Sequence, residues 1–155
     1  MNTSLEADEI VKKLYEQVRQ VTAQPEGSKQ SNQNNPEILS RIGSELTVLN
    51  WALGEWLSKF ENDERKAKTE LDIEEANQLK DLVDKTDPST KKLHAVNKAQ
   101  IIVDTKLAED KMRLNETINM VSKLKIHRND TAKVCEMIRT RISLIKEAVE
   151  RGVPA

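Results

Sequence analysis

Apolar residues recur at alternating steps of three and four at Leu39, Ile42, Leu46, Leu49, Leu53, Trp56 and Phe60, the seam of a helix made to face another helix. A second register starts at Leu93 and keeps the alternation through Val96, Val103, Leu107, Leu114, Val121, Leu124, Cys135, Ile138, Ile142 and Ile145 to Val149. Ahead of both, Ala7, Val11, Leu14, Val18 and Val21 lie on one face of a shorter amphipathic helix, predicted from about Leu5 to Ala23. The pattern predicts an all-α fold. Its main body is a long, coiled-coil-like antiparallel helical hairpin over residues 36–155, with the short N-terminal helix of residues 1–23 packed at its base. Residues 24–35 are polar throughout, have no apolar surface to offset the entropy of ordering, and read as a flexible linker.

Punctuation residues set the expected ends. Asn35-Pro36-Glu37 has the order of an N-cap, a first helical residue without an N–H, and an acid near the positive end of the helix dipole. The second helix is expected to run from there to about Lys85, where Thr86-Asp87-Pro88-Ser89 supplies a stop and a new start. From Pro88 the phase holds to Arg151, which predicts a single third helix with a kink allowed at His127-Arg128-Asn129-Asp130, and Gly152 and Pro154 end it. Folding about Pro88 pairs Phe60 with Leu114 and Asn115, and Ile42 with Lys133 and Val134. The same fold sets Arg65 against Asp110, either as a seam ion pair or as two charges that each reach into water. Trp51 and Val48 point away from the seam and form a second apolar patch, the expected dock for the first helix. Ile142, Ile145 and Val149 need cover from that helix or from another subunit. Trp51, Trp56, Phe60, Ile138, Ile142, Ile145 and Val149 are therefore the candidate core or oligomer-interface residues.

Charge changes this picture more than bulk composition does. The chain is 33% charged and 3% aromatic, which suits elongated helical packing, and its formal net charge is only −1. That total hides a gradient: residues 61–110 hold 9 basic against 13 acidic residues, whereas residues 111–155 hold 10 against 5. Lys123, Lys125, His127, Arg128 and Lys133, followed by Arg139 and Arg141, form a broad basic helix face able to hold phosphates by charge. An ordinary solvated flank accounts for the same residues, and no aromatic residue is interleaved among them for base stacking.

Candidate chemistry is otherwise sparse. His94, His127 and Cys135 lack metal-ligand spacing, so no metal or other cofactor is expected. Asp72, Glu74 and Glu75 sit in a highly charged stretch and read as a solvated face, and the four glycines form no phosphate loop. No catalytic residue is assigned, and the expectation is a protein that is not an enzyme. The lone cysteine, the absence of a leader-like start and the lack of roughly 20 consecutive apolar residues point to a cytoplasmic protein without membrane attachment. The Asn-x-Ser/Thr triplets at Asn2, Asn115 and Asn129 then carry no glycosylation meaning.

Trp56-Leu57-Ser58-Lys59, a long Lys/Glu-rich helix, a polar turn and a returning helix with an Ile-rich basic end resemble the UvsY family of phage recombination mediators, over about Leu49 to Lys146. The resemblance implies a homo-oligomer in the host cytoplasm that binds single-stranded DNA. It also implies help in loading a recombinase onto strands coated by a single-strand-binding protein. Of that family's Lys-x-Arg run with following aromatic residues, this chain has Lys80-Asp81-Leu82, so Lys80 alone is carried over. The first helix and the polar segment after it lie outside the resemblance. The nucleic-acid candidates are thus Lys123, Lys125, Arg128, Lys133, Arg139, Arg141 and Lys80. A reading from another class stays open beside this one. The hairpin is then a protein-interaction or scaffold module without nucleic-acid binding, such as a phage inhibitor of a host enzyme, whose acidic stretch from Glu61 to Asp87 engages a basic partner.

Overall fold

The computed structural model describes residues 3–24, 31–83, 85 and 96–152. The expected turn at Thr86–Ser89, the start of the third helix at Pro88, Leu93, His94, Pro154 and residues 25–30 of the polar segment lie outside them. The described residues form four α-helices: α1 (Thr3–Thr22), α2 (Pro36–Val83), α3 (Val96–Lys106) and α4 (Ala108–Glu150). A 3-10 turn at Asn32–Asn34 precedes α2. Among the described residues there is no strand. The fold is all-α, with α2 and α4 packed against each other as a helical hairpin. It divides into two compact units, residues 1–58 with 123–155 and residues 59–122.

In the first unit α2 and α4 run antiparallel, since Gly43 meets Ile138, Thr47 meets Cys135 and Gly54 meets Arg128. Leu39, Ile42, Leu46, Leu53 and Leu57 of α2 are buried with Leu124, Cys135, Ile138 and Ile145 of α4. This register corrects the expected one by close to a heptad: Ile42 is level with the stretch just past Ile138, not with Lys133 and Val134. The reason is that an apolar stripe of period 3.5 presents the same face after a slip of one heptad, so the stripe alone does not choose the register. Of the expected seam, Leu49, Trp56 and Phe60 are half-buried, and Leu57 is a core residue the seam pattern omits.

α1 buries Ala7, Leu14 and Val21, seven residues apart, and docks on α4 rather than on Val48 and Trp51. Val11, Leu14, Tyr15 and Val18 share a pocket of about 90 Å³ with His127, Asp130, Thr131 and Val134. The Tyr15 hydroxyl lies 3.1 Å from His127 Nδ1, and the two rings stack edge to face at 5.6 Å. Val48 and Trp51 stay 65% and 66% exposed, because two apolar residues set among Arg41, Ser44 and Glu55 are too small a patch for a five-residue stripe.

Residues 31–35 of the polar segment are ordered, which corrects the expectation of a linker along its whole length. Asn32 is buried and donates its side-chain amide to Gln20 O at 2.7 Å, while its backbone N–H donates to Ala23 O at 3.0 Å. Side-chain hydrogen bonds replace the apolar contacts the segment lacks. Asn35 is the N-cap expected from the sequence, its Oδ1 accepting from the Glu37 and Ile38 N–H groups at 3.1 and 3.2 Å.

The third helix is two helices, not one, and the interruption is at Leu107. Leu107 still donates to Val103 O and accepts from Lys111 N–H, both at 2.9 Å, so the break is confined to one residue. No kink occurs at His127–Asp130. There Asp130 pairs with Lys133 instead of the backbone, and the Thr131 hydroxyl donates to His127 O at 2.7 Å without interrupting the helix. Gly152, at φ +68°, ends α4 as expected.

The second unit has a thinner core of Ala99, Val103, Leu107 and Val121. Across it Glu75 of α2, Gln100 and Asp104 of α3 and Lys111 of α4 form one polar knot. Lys111 Nζ lies 2.6 Å from Asp104 and 3.2 Å from Glu75, and the Gln100 amide donates to Glu75 at 2.6 Å. Asp104 and Lys111 stand on opposite sides of the Leu107 break, so their ion pair clips it. Of the two readings for Asp110 and Arg65, the ion pair does not form: Asp110 lines a groove with Glu70 and Glu74, and a cation on its own helix, Arg113, lies 3.8 Å away. The heptad slip explains this loss as well.

Two predictions follow from packing and charge. Gly54→Ala raises stability by up to about 1 kcal/mol, the helix-propensity gain, because the new methyl meets only the mobile end of Arg128 at 3.2 Å. Gly43→Ala gains less or loses stability, since it presses on Ile138 Cγ2 at 3.3 Å and Ile138 is 2% exposed. Urea midpoints of the two variants rank them. In the polar knot, hydrogen bonds from Lys111 and Gln100 hold the Asp104 carboxyl below its usual 3.8, and bonds to Asp104 and Glu75 hold the Lys111 ammonium above its usual 10.5. The Asp104 contribution is therefore present above pH 3.8 and lost as pH falls through its lowered value. That of Lys111 is present below pH 10.5 and lost as pH rises through its raised value. Both are small and salt-sensitive because the groups are solvated. Lys111→Met flattens both limbs of the stability–pH profile followed by helix circular dichroism.

Candidate nucleic-acid interface

The α4 segment beyond Ser122 holds seven basic and four acidic residues, and the structure sorts its cations by direction. Helical geometry aligns Lys125, Arg128, Arg139 and Lys146 on one strip, successive members sharing a face through steps of three, eleven and seven. Two of its members border α2. The Arg128 guanidinium lies over Gly54, and Arg139 lines a groove of about 190 Å³ with Ser40, Gly43, Ser44, Thr47, Cys135, Ile138 and Ile142. The α2 wall of the groove is low because it is made of small residues whose hydroxyls turn onto their own helix. Ser44 donates to Ser40 O at 2.9 Å and Thr47 to Gly43 O at 2.8 Å. Cys135 is buried beneath the groove, 4.0 Å from the Thr47 hydroxyl. Three carboxylates of α4, Glu136, Glu147 and Glu150, lie on or beside this strip.

The other candidates are not brought to this groove. Arg141 is an anchor for the polar segment: its Nε donates to Gln33 O at 3.2 Å and its Nη2 to Asn34 Oδ1 at 2.6 Å. Lys133 is paired with Asp130 at 3.5 Å on another face. Lys123 is exposed and falls on the side of α4 that Arg141 occupies. Lys80 is exposed in the last turn of α2, in the second unit, and is not grouped with the α4 cations. Of the seven candidates, Lys125, Arg128 and Arg139 thus form one set. Lys146, the fourth member of the strip, was open to detection from its spacing of seven after Arg139.

The interface candidates also separate. Ile138 and Ile145 are buried core residues, Ile142 lines the α2–α4 groove, Trp56 and Phe60 are half-buried, and Trp51 and Val149 are 66% and 63% exposed. On the outward face of α4, Ile126, Met137 and Leu144 are each more than half exposed. Among the described residues no group of three or more His, Cys, Asp or Glu is placed to hold a metal ion, and no helix is long and apolar enough to cross a membrane. Of the acidic cluster, Glu75 serves the polar knot and Glu74 accepts from the Gln78 amide at 2.7 Å. No family model, curated protein or solved structure matches the chain.

Arg141 and Arg139 are two residues apart yet differ in role, and substitution separates them. Arg141→Ala speeds amide exchange at Asn32 and Asn35 several-fold, because the segment loses two of its anchoring bonds, whereas Arg139→Ala leaves that exchange unchanged. Exchange measured by NMR on both variants reads the difference.

Proposed function

We propose that the chain is a non-enzymatic accessory protein of DNA recombination that binds single-stranded DNA as an oligomer, as the resemblance to phage recombination mediators implies. The observation that carries the binding step is the strip of Lys125, Arg128, Arg139 and Lys146 beside a low wall of small, uncharged α2 residues. A row of cations flanking a shallow groove follows a phosphate backbone without reading sequence, which is what a strand-coating accessory requires. Met137, Leu144 and Ile126 on the outward face of α4 supply apolar surface for a second copy.

A second reading has support of its own in residues 61–110, with 9 basic against 13 acidic residues and exposed Ile73, Val96 and Ile101. That combination suits a basic protein partner, and the chain is then a scaffold or inhibitor module.

Fluorescence anisotropy with a labelled single-stranded oligonucleotide across a salt series separates the two. The DNA reading expects log affinity to fall linearly with log salt. Arg128→Ala with Arg139→Ala flattens the slope by about 1.4, since each lost phosphate contact on a single strand removes about 0.7. Absence of binding at low salt overturns it and leaves the protein-partner reading.

A further inference from the structure

We propose that Trp51 is the base-stacking residue of the α2–α4 groove, so that one nucleobase of a bound single strand lies on its indole while Arg128 and Arg139 hold phosphates to either side. This assignment rests on the single-strand reading above. Three observations carry it. Of the four aromatic residues of the chain, Trp51 is the most exposed, at 66%. An exposed tryptophan is a large apolar surface left in water, and neither the seam nor the α1 dock uses it. Thr47, Trp51 and Gly54 follow one another at i, i+4 and i+7 along one strip of α2. Since Thr47 meets Cys135 and Gly54 meets Arg128, the root of Trp51 stands on the groove's α2 edge, level with the α4 stretch between Arg128 and Cys135.

The charge pattern selects the occupant. Arg128 and Arg139 are about 16 Å apart along the helix axis, a span of a few nucleotides, and both border the wall that Trp51 tops. Cations that track a backbone, with an aromatic face between them, are the two parts of a sequence-tolerant single-strand site. The α4 sequence supplies only the first part. The second comes from a different helix, which brings the aromatic residue to cations some eighty positions away.

The test compares oligo(dT) with an abasic strand of equal length, which has the same phosphates and no bases, using anisotropy on the full chain. Trp51→Ala is expected to weaken oligo(dT) binding about 5- to 150-fold, the range of a lost base–aromatic stack, to leave the abasic strand unchanged, and Trp51→Phe to restore most of the loss. In a Trp56→Phe background, where Trp51 is the remaining tryptophan, oligo(dT) is expected to quench its fluorescence at the same midpoint. Equal affinity of Trp51→Ala and the parent chain for oligo(dT), with salt-sensitive binding intact, overturns the stacking role and leaves the single-strand reading standing. Equal loss on both strands also overturns stacking. No binding by the parent chain at low salt overturns both. A Trp51→Ala chain that alters only self-association, seen by sedimentation, assigns the indole to a second copy and overturns the proposal.

Discussion

The packing of α4 on α2 in the first unit turns on where two glycines sit. Arg128 occupies a position of the α4 heptad that its neighbours one heptad away fill with Val121 and Cys135, and a guanidinium there has to be accommodated or expelled. Gly54 opposite it offers no side chain, and the guanidinium carbon lies 3.2 Å from where a Cβ would stand. Gly43 does the same for Ile138, three turns away. The apolar stripes tolerate a slip of one heptad at little change in burial, but these size pairings do not. In the slipped register Arg128 faces Thr47, and Gly54 faces Val121, leaving bulk against bulk at one level and a void at the other. Register in this unit is set by the exceptions to the heptad, not by the heptad.

The second unit is held differently. It has few fully buried side chains, and four polar residues from three helices meet across it. Lys111 bonds two carboxylates at once, so its charge is compensated from α2 and from α3, and the latter bond spans the one-residue interruption at Leu107. Such a joint is specific in geometry and modest in energy, because its members stay partly solvated. An apolar joint of the same size would hold harder and discriminate less between registers.

The first two helices, their caps and most buried faces were legible because each rests on local periodicity or on one capping side chain, whereas the one-residue break at Leu107 left the phase unchanged and so was not. Asn35, Gly152 and the Leu39–Leu46–Leu53 stripe needed no tertiary information. What escaped was long-range. The dock of α1 was hidden because its partner surface contains His127 and Thr131, polar in sequence but made compatible with burial by the Tyr15 contact and by the bond to His127 O. Residues 31–35 looked too polar to order, yet asparagine side chains tie them to the flanking helices, Asn32 donating to Gln20 O and Asn35 accepting from the Glu37 N–H. For the candidate site, the excess of cations could be counted from composition. Their division among faces could not, because whether Arg141 anchors a segment or meets solvent depends on residues more than a hundred positions away.

The groove and the register share one cause. A wall of Gly43, Ser44, Thr47 and Gly54 is what lets α4 approach α2, and the same smallness keeps that wall too low to cover Arg128 and Arg139. A side chain larger than alanine on this strip would act twice, pushing the helices apart or out of register and screening the cations behind it. Trp51 escapes that conflict because its root is on the outer edge of the strip and its ring is largely in solvent. Packing therefore leaves room for one large side chain here, at the edge. An aromatic ring in that place leaves the close approach of the helices unchanged. The tight α2–α4 contact and the exposure of Arg128 and Arg139 thus rest on the same small residues, and neither can be altered alone.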